Sequence, residues 1–320
     1  MVQARVATLA TVIAAAALLA VPAFADFGFL TQWGARGTAD GQFANAISGI
    51  AVGPGDNVYV EDNGNSRVEK FSSDGAFLTK WGSAGTAQGQ FGSLDGIGIN
   101  PATGQVFVAD HQSTPQVEVY SPDGQFVKVF GQFPENIHDL TVDSQGNVIV
   151  ITGGGPPDSF IKKFDASGNK VGQWGNYGSN KDGEFSSSGR TQLATDAQGN
   201  IYITDTVLTR VQKFSPTGQF LAKWGTAGSG DGQFGSNGPN GISVDPQGNV
   251  WVADPGNARI QKFSGDGAFL AKFGTQGSGQ GQFGSAIDLA ADSKGNVFVV
   301  DDNNSRIVKV GEKVAPAPTP

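Results

Sequence analysis

Residues 249–263 read NVWVADPGNARIQKF. Nearly the same phrase stands at 57–71, NVYVEDNGNSRVEKF, and at 200–214, NIYITDTVLTRVQKF; a fourth copy, NVFVVDDNNSRIVKV, ends at residue 310. Self-similarity at a fixed period marks one supersecondary unit copied along the chain, each copy burying a face against the next. Aromatic-glycine pairs set the period: Trp33-Gly34, Trp81-Gly82, Phe130-Gly131, Trp174-Gly175, Trp224-Gly225 and Phe273-Gly274, at intervals of 48, 49, 44, 50 and 49 residues. Those intervals lie within the range of one β-propeller blade or a similar repeat unit.

Within each unit four short β-branched or alternating segments are separated by turns; in the fifth they are GISV, NVWVAD, RIQKF and FLAKFG. Between the first two segments come DSQGN, DAQGN, DPQGN and DSKGN, starting at Asp143, Asp196, Asp245 and Asp292. There Asp accepts backbone hydrogen bonds and Gly turns the chain. Each unit therefore predicts a four-stranded antiparallel meander, whose faces are covered only by neighbouring units. The last unit lacks an FLxxWG segment, while FGFLTQWG at 27–34 has nothing before it. The expected fold is all-β, a six-bladed β-propeller of four-stranded antiparallel blades, closed by the N-terminal strand completing the last blade. Closure leaves no long strand edge to aggregate.

The pattern GQF…P-x-GI-x-VD-x-x-GN-V-x-VAD-x-x-N-x-RI-QKF, nearly complete in the fifth unit, resembles the NHL-repeat family. The resemblance runs from residue 26 to about 311 and implies the same propeller. It implies no single activity: family members include RNA-binding modules, extracellular sensor domains, scaffolds and a metal-dependent lyase.

Ahead of the repeats, Arg5 precedes a sixteen-residue apolar run at 6–21, interrupted only by Thr8 and Thr11, and Ala23-Phe24-Ala25 offers a small-x-small cleavage site. This predicts a secretory signal peptide over 1–25 and an extracellular or periplasmic protein. A membrane span needs about 20 apolar residues, so no membrane insertion is expected after cleavage. The remaining chain carries 20 basic against 29 acidic residues, a net charge near −9. Nucleic acid and anionic membranes require clustered Lys and Arg, so neither is an expected partner. Lys70, Lys162, Lys163, Lys213, Lys262 and Lys309 recur within the repeat and are expected as solvated outer-strand charges. Without cysteine, stability must come from burial. Residues 26–311 form the expected propeller, a monomer, and 312–320 (EKVAPAPTP from Glu312) a Pro-rich flexible tail.

Six copies under one structural demand serve as an internal control, so departures from the repeat point to function. Asp62/Arg67, Asp205/Arg210, Asp254/Arg259 and Asp301/Arg306 keep a five-residue offset, which predicts an ion pair bracing the loop between the second and third strands. The second unit has an extra residue in ADHQSTPQVEVY, with Gln116 where Arg is expected. The third, ITGGGPPDSFIKKF, has about three extra residues, with Thr152 for Asp and Phe160 for Arg. His111, Gln116, Gly153, Gly154, Asp158 and Phe160 are the expected partner-binding residues on that rim.

In a meander the loop between strands two and three lies at the end where strand one begins. Ser48-Gly49, Asp95-Gly96, His138-Asp139, Thr191-Gln192, Asn240-Gly241 and Ile287-Asp288 therefore surround one mouth of the central channel. Both histidines of the chain, His111 and His138, fall there. Asp95, His138, Asp139 and Asp288 are the candidate ligands for a divalent cation, calcium or zinc, since imidazole and carboxylate are competent donors. No G-x-S-x-G, H-E-x-x-H or P-loop occurs. The expected function is a non-catalytic scaffold for a protein, peptide or glycan. The alternative is a metal-dependent lyase or lactonase-like hydrolase at the mouth; the related lyase holds zinc with three histidines, one more than this chain has.

Overall fold

The computed structural model describes residues 27–313 except 113, 154–159, 179–180 and 187–189. The expected signal peptide and most of the Pro-rich tail lie outside them. Six four-stranded antiparallel sheets follow the repeat, and the strands of each are called a to d from the inside outward. Blade one comprises Ile47–Gly53, Asn57–Asp62, Arg67–Phe71 and Phe77–Trp81; blade two, Leu94–Ile99, Val106–Asp110, Gln116–Tyr120 and Phe126–Gln132. Blade three comprises Asn136–Val142, Val148–Gly153, Phe160–Phe164 and Lys170–Trp174; blade four, Leu193–Thr195, Ile201–Asp205, Arg210–Phe214 and Phe220–Trp224. Blade five comprises Ile242–Val244, Val250–Asp254, Arg259–Phe263 and Phe269–Phe273. In the sixth, Ala286–Ala291, Val297–Asp301 and Arg306–Glu312 are joined by Phe27–Trp33, which pairs antiparallel with the C-terminal strand from Phe27↔Glu312 to Trp33↔Ile307. Glu312, assigned to the tail by sequence, thus belongs to a strand.

The turn chemistry is as expected. In the a–b turn of blade three, Asp143 Oδ1 accepts from the amides of Gln145 (3.0 Å) and Asn147 (2.9 Å). The a strands face one another around the axis and line a channel section of about 330 Å³.

Stability lies in the seams. Six apolar clusters each join two adjacent blades; one unites Phe298, Val300 and Ile307 of blade six with Ile47, Val58 and Phe71 of blade one. Trp33, on the outer strand of blade six, lies against that cluster, 5.9 Å from the Phe71 ring. The c–d turn of blade one reaches over the same indole: a Cβ on Gly75, at φ +86°, would stand 2.5 Å from it. Only glycine satisfies both the left-handed backbone and the contact.

The recurrent lysines are not solvated outer-strand charges. Lys70, Lys162 and Lys309 are buried. Lys70 Nζ donates to the carbonyl of Pro122 in blade two (2.9 Å), Lys213 to Gly265 in blade five (2.9 Å) and Lys309 to Ser73 in blade one (3.0 Å). Each ammonium also lies over an aromatic ring of its own blade, 5.5, 5.3 and 4.9 Å from the centroid for Tyr59, Tyr202 and Phe298. The apolar stem runs along the seam and the head caps the neighbour's turn.

The d–a crossovers hold short parallel bridges that sequence periodicity does not show, such as Thr226–Ala227 with Gln233–Phe234. Their GQF phenylalanines, Phe43, Phe91, Phe234 and Phe283, are fully buried. Among the described residues no helix is long and apolar enough to cross a membrane.

Candidate functional site

The frame of the upper rim, where the b–c loops lie, is a repeated clamp. In blade five Arg259 Nε donates to Asp254 Oδ2 at 2.8 Å, while its Nη atoms donate to the carbonyls of Ser229, Gly230 and Gln233 in the preceding crossover. The other Asp254 oxygen accepts from the Gly235 amide (2.8 Å), and Asn257 Nδ2 bridges Asp254 to the Gly228 carbonyl. Blades one and six repeat the set through Arg67 and Arg306, with ion pairs of 2.9 and 2.8 Å. In blade four it is looser, Arg210 Nε standing 3.9 Å from Asp205. The expected ion pair is present, and it also staples the crossover to the blade.

Blades two and three lack this arginine. In its place Gln116 opens strand c, nine-tenths buried, and donates to Glu118 at 2.9 Å. It is thereby tied into the sheet. Gly153 is the buried last residue of its strand and pairs with Asn136; Phe160 opens the following strand opposite Thr152. Gly154 and Asp158 lie outside the described residues.

At the upper mouth, His111, Asp95 and His138 do meet. With Ser48, Asn63, Asn136, Arg190 and Gln192 they line a pocket of about 180 Å³ between blades one to four. His111 leaves the sheet directly after Asp110 because the extended loop of blade two begins there, and its Nδ1 lies 3.1 Å from Asp95 Oδ2. Burial pushes the Asp95 carboxyl up, against the field of His111. Burial lowers the pKa of His138, the field of Asp95 acting in the opposite sense. The neutral ring is thus favoured there.

Asp139 and Asp288 point instead into the channel below. Asp139 Oδ2 accepts from the Leu193 amide of blade four (2.8 Å), and Asp288 Oδ2 from the Ile50 amide of blade one (3.0 Å). Each carboxylate joins its own strand a to that of the next blade. The preceding blade makes room with glycine: a Cβ on Gly96 would fall 2.7 Å from Asp139 Oδ1, and one on Gly241 2.5 Å from Asp288 Oδ1. Burial raises both carboxyls, Asp288 to about 7 and Asp139 well above its ordinary value, the latter also under the field of Asp288.

These positions do not assemble a metal centre. Among the described residues no group of three or more His, Asp or Glu side chains is placed to hold a metal ion. The expected set divides because strand a bends at its first residues: Asp95 and His138 face the mouth, whereas Asp139 and Asp288 turn inward to backbone amides.

Sequence reasoning missed Glu61 and Arg190 and left Gln192 and Asn240 outside the site. Glu61 is fully buried, and its Oε2 accepts from Ser48 Oγ at 3.2 Å. Burial raises its carboxyl well above the usual range, reinforced by Asp95 and Asp139. A signal was available: Glu61 stands where the other repeats carry Ala109, Thr204, Ala253 and Val300. Arg190 sits in the blade three to four crossover, whose sequence departs from GQF, so the repeat alignment gave it no weight.

A family model described as NHL repeat matches residues 45–71 and 237–263, ending in blades one and five on the strand that carries the clamp arginine. The chain is a six-bladed β-propeller that carries NHL repeats at these two positions. Over 121 residues, 38% of its length, it is 37% identical to the B-box type zinc finger protein ncl-1 of Caenorhabditis elegans. The match covers 14% of that protein, so the likeness concerns the propeller and not the whole relative. Among solved structures, a Bacteroides thetaiotaomicron protein of unknown function superposes with TM-score 0.64 at 19% identity, over 88% of this chain and 76% of that one. A gluconolactonase of Xanthomonas campestris does so with TM-score 0.58 at 16% identity, over 85% and 87%. At such identity the NHL propeller shares their fold alone.

Proposed function

We propose that this NHL propeller is an exported, non-catalytic scaffold that takes a protein, peptide or glycan partner on its upper face. One observation carries the reading: blades two and three, which give up the arginine clamp, flank the pocket that gathers Asp95, His111, His138 and Arg190. Elsewhere on that rim the side chains brace the fold; here they line a cavity. Among the described residues its lining holds no Phe, Tyr or Trp ring to stack a sugar, which favours a peptide over a glycan. The net acidic charge of the chain agrees with a partner other than nucleic acid. The test is capture of a partner from the secreted fraction by three immobilised proteins: the native domain, a variant with residues 153–158 replaced by a short blade-five loop, and a His111→Ala variant. A partner held by the native domain and released by both variants supports the upper face. Equal retention by all three refutes it.

A second reading, an enzyme at the same mouth, is favoured by the hydrogen-bonded pair of His111 and Asp95, the arrangement that orients a general base. In this form it requires no metal. Turnover of an ester or lactone panel that disappears in His111→Gln and persists in chelator would establish it; no turnover would leave the scaffold reading standing.

A further inference from the structure

The seam between blades two and three departs from the repeat in three ways that meet at one place. Its crossover is cut short: seven positions lead from Gly34 to Gly41, from Gly82 to Gly89 and from Gly225 to Gly232, whereas Gly131 serves as both glycines. Next, Phe130 stands where Trp33, Trp81, Trp174 and Trp224 pack under the c–d turn of the following blade. A Cβ on Gly124, Gly218 or Gly267 would lie 2.4, 2.5 or 2.6 Å from the indole beneath it, but one on Gly168 stays 3.7 Å from the nearest atom of Phe130. Last, Lys170 takes the place of a phenylalanine. Phe71, Tyr120, Phe214 and Phe263 on strand c each stand opposite a phenylalanine of strand d, whereas Phe164 stands opposite Lys170. The four partnered rings are 1% exposed; Phe164 is half-buried.

These losses leave a cavity of about 160 Å³ among the outer strands, walled by Phe130, Phe133 and Phe164, with Lys170 in its lining. The Phe164 ring stands at 85° to Phe130 and 90° to Phe133, with centroids 5.9 and 5.7 Å away. The lysines around it are not equally engaged. Lys162 Nζ donates to Glu135 at 2.7 Å. Lys170 is exposed and donates to the neutral Gln173 side chain (3.0 Å), and Lys128 Nζ lies 5.6 Å from the Phe130 centroid; among the described residues neither pairs with an acid. Asp165, in the turn that holds Gly168, is taken up by the Ser167 and Asn169 amides and the Asn169 side chain.

We infer that this seam holds a binding site for a small aromatic carboxylate, its ring among the three phenylalanines and its charge at Lys170. An apolar cavity of about 150 Å³ takes up benzene. Perpendicular phenyl rings offer both edges and faces to a further ring, which the other blades supply from their own Phe and Trp. The unneutralised ammonium groups set the sign of the substituent, attracting an anion and repelling a cation. The site shares no residue with the pocket of His111 and His138 and stands independently of the scaffold reading.

Saturation-transfer NMR and calorimetry on the purified protein compare phenylacetate, benzyl alcohol, phenethylamine and N-acetylphenylalanine amide. Phenylacetate is expected to bind at a single site, benzyl alcohol about threefold more weakly, and phenethylamine not to bind. Phe130→Trp restores the residue that four other blades carry and fills the cavity, so phenylacetate affinity should fall at least about tenfold while the melting temperature holds or rises. Lys170→Gln, an exposed change, should weaken phenylacetate to the level of benzyl alcohol and leave benzyl alcohol unaltered. Should Phe130→Trp melt early, the titrations of Lys170→Gln decide alone. Absence of phenylacetate binding, equal binding of phenethylamine, or affinity unchanged in a folded Phe130→Trp would each overturn the inference. So would N-acetylphenylalanine amide binding as tightly as phenylacetate, because the pocket would then belong to an aromatic side chain of a partner.

Discussion

Lys309 of blade six donates to the carbonyl of Ser73 of blade one at 3.0 Å, crossing the seam where the last blade meets the first. The ammonium also lies 4.9 Å from the Phe298 centroid and 3.6 Å from Asp292. Lys309→Met keeps the stem and removes the head. The expected loss is about 1–3 kcal/mol, because the half-buried Ser73 carbonyl and the buried Asp292 carboxylate lose a charged donor. Lys272→Met, which breaks an exposed pair with Asp231, should cost no more than about 0.5 kcal/mol. Urea unfolding of the two variants checks the difference; equal midpoints would mean that the seam contact contributes nothing.

The clamp arginines should differ in the same way. Arg259→Ala removes the partner of a fully buried Asp254 and three carbonyl contacts, and about 3–5 kcal/mol is expected. Arg210→Ala acts on a 3.9 Å pair and should cost about 1–2 kcal/mol. Thermal melts that rank them in the opposite order would contradict the reading of the clamp.

Two turn glycines separate backbone strain from crowding. Gly248 has φ +79° and open space around a Cβ, so Gly248→Ala should cost only the left-handed penalty of about 1–2 kcal/mol. Gly75→Ala adds a 2.5 Å clash with the Trp33 indole and should cost clearly more, with a change in tryptophan fluorescence. An unchanged emission would show that the indole does not rest on that turn.

Stability should depend on pH through the channel acids. Asp288 titrates near 7 in the folded protein, and burial raises Glu61 and Asp139 in the same sense. An unfolded carboxyl titrates near 4. Between these values the folded state holds more protons, so the stability these acids confer is full below about pH 4 and is lost as pH rises through the folded pKa. Each group contributes a slope of up to about 1.4 kcal/mol per pH unit. His138, lowered by burial, acts in the opposite sense: its contribution is present above the unfolded value near 6.5 and fades as pH falls. Asp288→Asn should flatten the fall between about pH 5 and 7; denaturation curves with an unaltered slope would remove Asp288 from the account.

The four-strand unit, its turns and the pairing of Asp with Arg were legible because each rests on local spacing that recurs. So was the meeting of His111, Asp95 and His138, since meander connectivity alone places those positions at one mouth. The hydrogen bond of Gln116 was not legible, because a rim position says nothing about where the side chain turns; Glu118, two residues along the same strand, accepts from its amide. The lysines were misread because period two marks a face, while their burial depends on the turn of the next blade.

The amino-acid sequence by itself determined that this is a ring of repeated β-meanders, because turn chemistry, strand alternation and period all act over a few residues. Only the tertiary structure decided that Asp139 and Asp288 join strands across blades, that Gln192 and Arg190 share a pocket with the two histidines, and that Glu61 is buried with Ser48 donating to it. The first two of these relations join positions in different blades, where strand bend, burial and competition from backbone amides settle which group each oxygen meets.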